Sequence, residues 1–249
     1  MKRFSWRVNL GLALVAVTVV LVAINLLVFG SAEQTGFWML HSLSMLPIEV
    51  LLTVLILNVL LERRARQELL GKLNMVIGAF FSEVGADLLR RISAFDADMA
   101  CRKDFLVKGN WDARRFAGAR QVAREYDYAV DATLGDLADL RAFLVSKREF
   151  LLGLLENQSL LEHESFTDAL WAVFHLAEEL QMRTDVSDLP RSDLAHLASD
   201  MKRAYAALAV EWLGYVEHLK TAYPYLYSLA VRTNPLDPDA CAVIPSGDS

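Results

Sequence analysis

Residues 37–73 read FWMLHSLSMLPIEVLLTVLILNVLLERRARQELLGKL, and the break inside this stretch decides the fold. Its first part, 37–61, is apolar apart from a few small polar residues, His41 and Glu49. A helix of that length rises about 37 Å at ~1.5 Å per residue, more than the ~30 Å of a bilayer's hydrocarbon core. Glu62, Arg63, Arg64 and Arg66 follow with no glycine or proline between, so one helix is expected to leave the bilayer and continue beyond it.

Upstream, residues 8–29 form a second apolar run, broken only by Asn9, Thr18 and Asn25. At ~1.5 Å per residue it also spans a bilayer. The link 30–36 is too short to hold a domain. Lys2, Arg3 and Arg7 precede the first run and three arginines follow the second, while the link has no basic residue. The positive-inside rule then puts both termini on the cytoplasmic side of a bacterial-type inner or plasma membrane. Trp6 and Trp38 fall at the inner and outer interfaces. Gly30-Ser31-Ala32 resembles a signal-peptide cleavage site, but the apolar run before it is long for that purpose. The expectation is an all-α protein. A transmembrane hairpin (1–61) has a second span that continues into a cytoplasmic helical domain (62–233), and a disordered tail (234–249) carries Pro235, Pro238 and Pro245.

Polar side chains inside the spans need partners in lipid. Glu49 lies at the middle of the second span, and His41, Ser42, Glu49 and Thr53 fall within an arc of about 120° at ~100° per residue. Gly11, Thr18 and Asn25 form a matching stripe on the first span, with Thr18 level with Glu49 and Asn25 level with Ser42. The ordinary role of such stripes is to glue helices together; an oligomeric ion or proton conduit centred on Glu49 is the alternative.

From Leu61 onward, apolar positions recur every three or four residues at Ala65, Leu69, Leu73, Ile77, Phe80, Val84, Leu88 and Ile92, predicting helix to about 97. Gly71, Gly78 and Gly85 are seven apart within it, a spacing that suits close approach of another helix, from the same chain or, as in a coiled coil, from a second copy. Further helices are expected over 112–131, 134–156, 164–183, 191–220 and 225–231. Ser165 and Asp168 sit at capping-box spacing, and Pro190 suits a helix entry.

Net charge is −6 overall, and the chain without its spans keeps 22 Lys+Arg against 29 Asp+Glu. Such a surface repels nucleic acid. Cys101 and Cys241 are the only cysteines and have no metal-site spacing. P-loop, dinucleotide, nucleophile-elbow and zincin motifs are absent.

Two polar helix faces remain. Glu164, Asp168, Trp171, His175, Glu178 and Glu179 share one face of the 164–183 helix, opposite an apolar face. His196, Asp200, Glu211 and His218 share one side of the next helix. The ordinary reading of both is a solvated surface. A metal-dependent enzyme using the His175/Glu178 face requires that face to be covered by further ligands, such as those around His196. Tyr223, Tyr225 and Tyr227 with Trp212 and Tyr215 read as core packing, or else as a ligand pocket. Taken together, the expected function is a membrane-anchored interaction or regulatory module rather than an enzyme. Its expected partners are the lipid bilayer, a second copy of itself and a cytoplasmic protein, and its cofactor is unassigned.

Overall fold

The computed structural model describes residues 16–17, 19–24, 27, 32–98, 102–157, 160 and 163–243. All described secondary structure is helical apart from one isolated antiparallel bridge, Asp96 to Val130. The fold class is therefore all-α. In chain order the helices are α1 (Ala32–Phe80), a π turn (Phe81–Gly85), α2 (Ala86–Ser93), α3 (Arg102–Phe105) and α4 (Ala113–Glu125). Then come α5 (Leu137–Leu155), α6 (Glu164–Met182), α7 (Arg191–Ala222) and α8 (Pro224–Arg232). The chain divides into two compact units, Met1–Arg66 and Gln67–Ser249.

In the first unit, every described side chain from Gly36 to Arg66 is exposed. α1 is long and apolar enough to cross a membrane by length and composition, and its most apolar window has no buried residue. Pro47 lies inside it. Residues 16–17, 19–24 and 27 are helical too. Thr18 and Asn25 lie outside the described residues, as does Cys101.

The second unit is a helical bundle around α7. Leu73, Ile77 and Phe80 of α1 are buried, followed by Phe81 and Val84 of the π turn and Leu88, Leu89 and Ile92 of α2. α7 packs against α6, α4 and α8. The aromatic centre holds Phe81 stacked on Tyr215 at 5.1 Å, edge-on to Trp212 at 5.4 Å, and Phe80 edge-on to Phe166 at 5.3 Å. At Gly85 an added Cβ would lie 2.5 Å from the ring of Phe81 and 2.6 Å from that of Phe80, so the π turn needs glycine there for space.

Several expected boundaries move. Helix ends at Ser93 rather than 97, because Phe95 turns inward and its carbonyl accepts from Asp131 N–H while Ala97 N–H donates to Ala129. α4 stops at Glu125 rather than 131, since Tyr126 and Tyr128 leave in extended backbone and pack on Phe105 and Tyr205. α5 begins at Leu137, capped by Asp136 accepting from Asp139 N–H. α6 is capped by the His163 ring, which accepts from Phe166 N–H, and not by the Ser165/Asp168 spacing. The tail is packed at its start: Asn234 and Leu236 are each 1% exposed, and Asn234 donates to the Phe105 carbonyl at 3.1 Å. Pro235 is buried between them and Pro238 is exposed; residues 244–249, with Pro245, lie outside the described residues.

Candidate metal centre

α6 and α7 are consecutive helices joined by a short connection that ends in Pro190, so their facing turns sit side by side. α6 forms because Phe166, Leu170, Val173, Leu176, Ala177 and Leu180 line one buried stripe at helical spacing. Arg141 holds its last turn, donating from Nε to the Leu180 and Arg183 carbonyls at 3.0 and 3.1 Å. α7 starts after Pro190 and buries Leu197, Met201, Ala204 and Leu208.

Each helix offers one histidine and one carboxylate a single turn apart, a spacing that puts both on one face. On α6 these are His175 and Glu179; on α7 they are His196 and Asp200. All four meet. His175 Nε2 is 3.5 Å from Asp200 Oδ2 and 3.9 Å from Glu179 Oε1. His196 Nε2 is 3.4 Å from Asp200 Oδ2 and 3.6 Å from Glu179 Oε2. Ligand atoms of Glu179, His196 and Asp200 all lie within 4.8 Å of one another.

Burial is uneven across the cluster. The Asp200 side chain is only 3% exposed, whereas His175 is 46% and His196 52% exposed. Asp200 Oδ1 accepts from Arg203 at 3.0 Å, but Oδ2 is buried and has no hydrogen-bond partner. A buried carboxylate oxygen without a donor costs free energy, so native proteins give such atoms a partner. Here it points at two imidazole nitrogens, the commonest ligands for a divalent metal.

Two arginines hold the carboxylates. Arg183 donates to Glu179 Oε2 at 2.8 Å and grips Asp193 with two bonds of 2.8 and 2.6 Å. The Arg183 hydrogen bond holds Glu179 below the usual carboxylate range, against desolvation, with weaker help from the arginine's charge and both histidines. The same guanidinium lowers Asp193. Arg183 is itself pushed above its ordinary value, chiefly by its bonds to Asp193. Such outer partners orient ligands and keep them ionised.

Of the residues expected on this face, His175 and Glu179 enter the cluster. Glu178 turns away to Arg148 Nε at 2.6 Å, and Arg148 also covers the Phe174 ring. Glu164 lies in the first turn of α6 and Asp168 one turn on, both outside the cluster. Trp171 is 55% exposed and edge-on to Phe174 at 6.0 Å. Asp200 is the deepest member, although its place in the sequence reads as a solvated face. The available signal is the paired HxxxE and HxxxD on either side of one short connection.

Among the described residues, the other expected positions are not members of this cluster. Within α1, His41 stacks on Phe37 at 6.5 Å, its carbonyl accepts from Ser44, and Ser42 and Glu49 are exposed. Gly85 meets the rings of its own turn, Gly78 touches the Tyr215 ring at 3.6 Å, and Gly71 has nothing within 4 Å. Tyr227 is buried with Trp212, but Tyr225 is 72% exposed, so the tyrosines form no enclosed pocket.

Residues 69–232 match a family model described as "Uncharacterized protein MJ1433, C-terminal helical domain", and residues 2–61 match "MJ1433, N-terminal helical domain". The chain is 42% identical over 229 residues to uncharacterized protein MJ1433 of Methanocaldococcus jannaschii, covering 92% of each chain. No solved structure matches it. All four converging side chains fall within the C-terminal match.

Proposed function

We propose, from the premise that this chain belongs to the MJ1433 family, that it is a membrane-anchored helical module whose C-terminal domain binds a divalent metal ion. The observation that carries the reading is the buried, unpartnered Asp200 Oδ2 facing His175 and His196 beside Glu179. Two imidazoles and two carboxylates are a donor set for a borderline divalent cation. The expected interaction or regulatory role then has a chemical input, the ion.

The anchor in this reading is a two-span hairpin over 8–29 and 37–61, with both termini cytoplasmic. Its support is the basic residues flanking the spans and the all-round exposure of apolar side chains over residues 36–66 of α1. Self-association, most simply as a dimer, through the spans and the Gly71–Gly85 stretch is part of the proposal. Leu70 and Met75 are 45% and 69% exposed there, and Gly71 is open to a neighbour. The conduit reading of Glu49 rests on its position in the sequence alone, with Thr18 and Asn25 as its expected partners.

Metal content of the detergent-purified full chain, measured after dialysis, tests the central claim. About one tightly held ion per chain is expected, reduced to background in His196→Ala and Asp200→Asn. Equal content in the native chain and both variants sinks the proposal.

A further inference from the structure

We propose that this centre is a closed, tetrahedral zinc-type clamp that staples α6 to α7, and not a water-activating site; the inference rests on the metal reading above. The spacing of the donors is the first argument. Donors at ~2.0–2.1 Å around a tetrahedral ion lie about 3.3–3.4 Å apart, whereas neighbouring donors around an octahedral ion with similar bonds lie about 2.9–3.0 Å apart. From the imidazole nitrogens to the carboxylate oxygens not bonded to arginine, the separations are 3.4 and 3.5 Å at Asp200 Oδ2 and 3.9 Å at Glu179 Oε1. A tetrahedral ion needs the frame to tighten by a few tenths of an ångström at most edges. An octahedral one requires it to collapse much further.

Donor count is the second argument. Arg203 occupies Asp200 Oδ1 and Arg183 occupies Glu179 Oε2. Each carboxylate therefore has one oxygen free of arginine, and binds through one. Glu179, His196 and Asp200 offer three donors within 4.8 Å of one another, and His175, 3.5 Å from Asp200 Oδ2 and 3.9 Å from Glu179 Oε1, is the fourth that fills a tetrahedral shell. Catalytic zinc sites characteristically keep one position for water or substrate, and structural ones do not.

Position in the fold is the third. The ligands occupy the turns on either side of the α6–α7 connection, which Arg183 already ties to Asp193 on α7. An ion there joins residues 175 and 179 to residues 196 and 200. α7 is the helix against which α4, α6 and α8 pack, so fixing its first turns fixes the frame of the domain.

The test is titration of the full chain, in detergent or nanodiscs, with Co²⁺ as a coloured substitute, then Zn²⁺ and Mg²⁺. The clamp predicts one Co²⁺ per chain with the intense visible absorption of four-coordinate cobalt, and stoichiometric displacement by Zn²⁺. It also predicts a melting temperature raised by about 5 °C or more at a hundredfold excess of Zn²⁺ over Kd. Slowed amide exchange in α6 and in the first turns of α7 should accompany binding, and Mg²⁺ should do none of this. His175→Ala, at a half-exposed position where folding is preserved, should weaken Zn²⁺ binding by roughly tenfold or more, since it removes one of four donors. A bound ion with the weak absorption of six-coordinate cobalt overturns the clamp while the metal reading stands, and so does unchanged affinity in His175→Ala. Failure of Co²⁺, Zn²⁺ and Mg²⁺ all to bind overturns both.

Discussion

Toward its C-terminal end, α7 lays Trp212 and Tyr215 against the rings of Phe81, and Trp212 and Phe81 are closed to water. Toward its N-terminal end, about 18 Å away at ~1.5 Å per residue, the same helix turns His196 and Asp200 toward His175 and Glu179. The aromatic end is held by area removed from water, enough to carry Trp212 Nε1 without a hydrogen-bond partner. At the polar end Asp200 Oδ2 also accepts no hydrogen bond, but it stands between two imidazole nitrogens rather than among rings. The contrast teaches where on this helix substitutions should change folding and where they should change binding.

The largest expected effect is on the aromatic end. Trp212→Ala should destabilise the domain by about 3–5 kcal/mol in denaturant unfolding, the range for deleting a large buried ring. Metal affinity of the fraction that still folds should be unchanged; a parallel loss of both would erase the distinction between the ends. Gly85→Ala should cost about 1–3 kcal/mol, because its new methyl meets Phe80 and Phe81, which are 0% and 2% exposed and have no room to retreat. A neutral result by thermal melting would mean that the π turn opens readily.

At the polar end the order of effects reverses. Asp200→Asn should leave metal-free stability within about 1 kcal/mol of native, since it removes a buried charge while keeping the shape. Stabilisation by Zn²⁺ should disappear, as read by melting with and without the ion. Smallest is an acid effect. Arg183 holds Asp193 below its unfolded value, so the unfolded chain binds the proton more readily in that interval. The resulting stability is present above about pH 4 and is lost as pH falls through the lowered value. Asp193→Asn should flatten that limb of an acid-unfolding curve by lowering the neutral plateau slightly, while leaving stability at the acid end nearly as it was.

The helices bearing the site were legible in the sequence. The 164–183 and 191–220 expectations meet α6 at Glu164–Met182 and α7 at Arg191–Ala222, because continuous apolar stripes and Pro190 mark them. The break after Ser93 was not, since it depends on Phe95 finding Gly135 and the 129–131 backbone, which are remote in the chain. Nor was Tyr126, an aromatic that suits a helix face yet packs in extended backbone against Phe105. For the site, spacing along one helix disclosed His175 and Glu179 but not which face they meet. Glu178 shows the limit of such reasoning: it stands beside Glu179 in sequence, and a single arginine on α5 draws it to the other side.

The π turn at Phe81–Gly85 has the form of an insertion, one residue more than an α-helical path between the same points would hold. Taking out one residue there would let the ordinary winding close. Leu73, Ile77 and Phe80 would keep their side of the helix, because the segments on either side of the wide turn already stand in the register of an unbroken α-helix. One residue added within ordinary α winding would instead turn residues 67–80 by about 100° and carry those side chains out of the core. The wide turn thus works as a phase absorber: it takes up the extra residue, and the incoming helix still presents its apolar side to the domain.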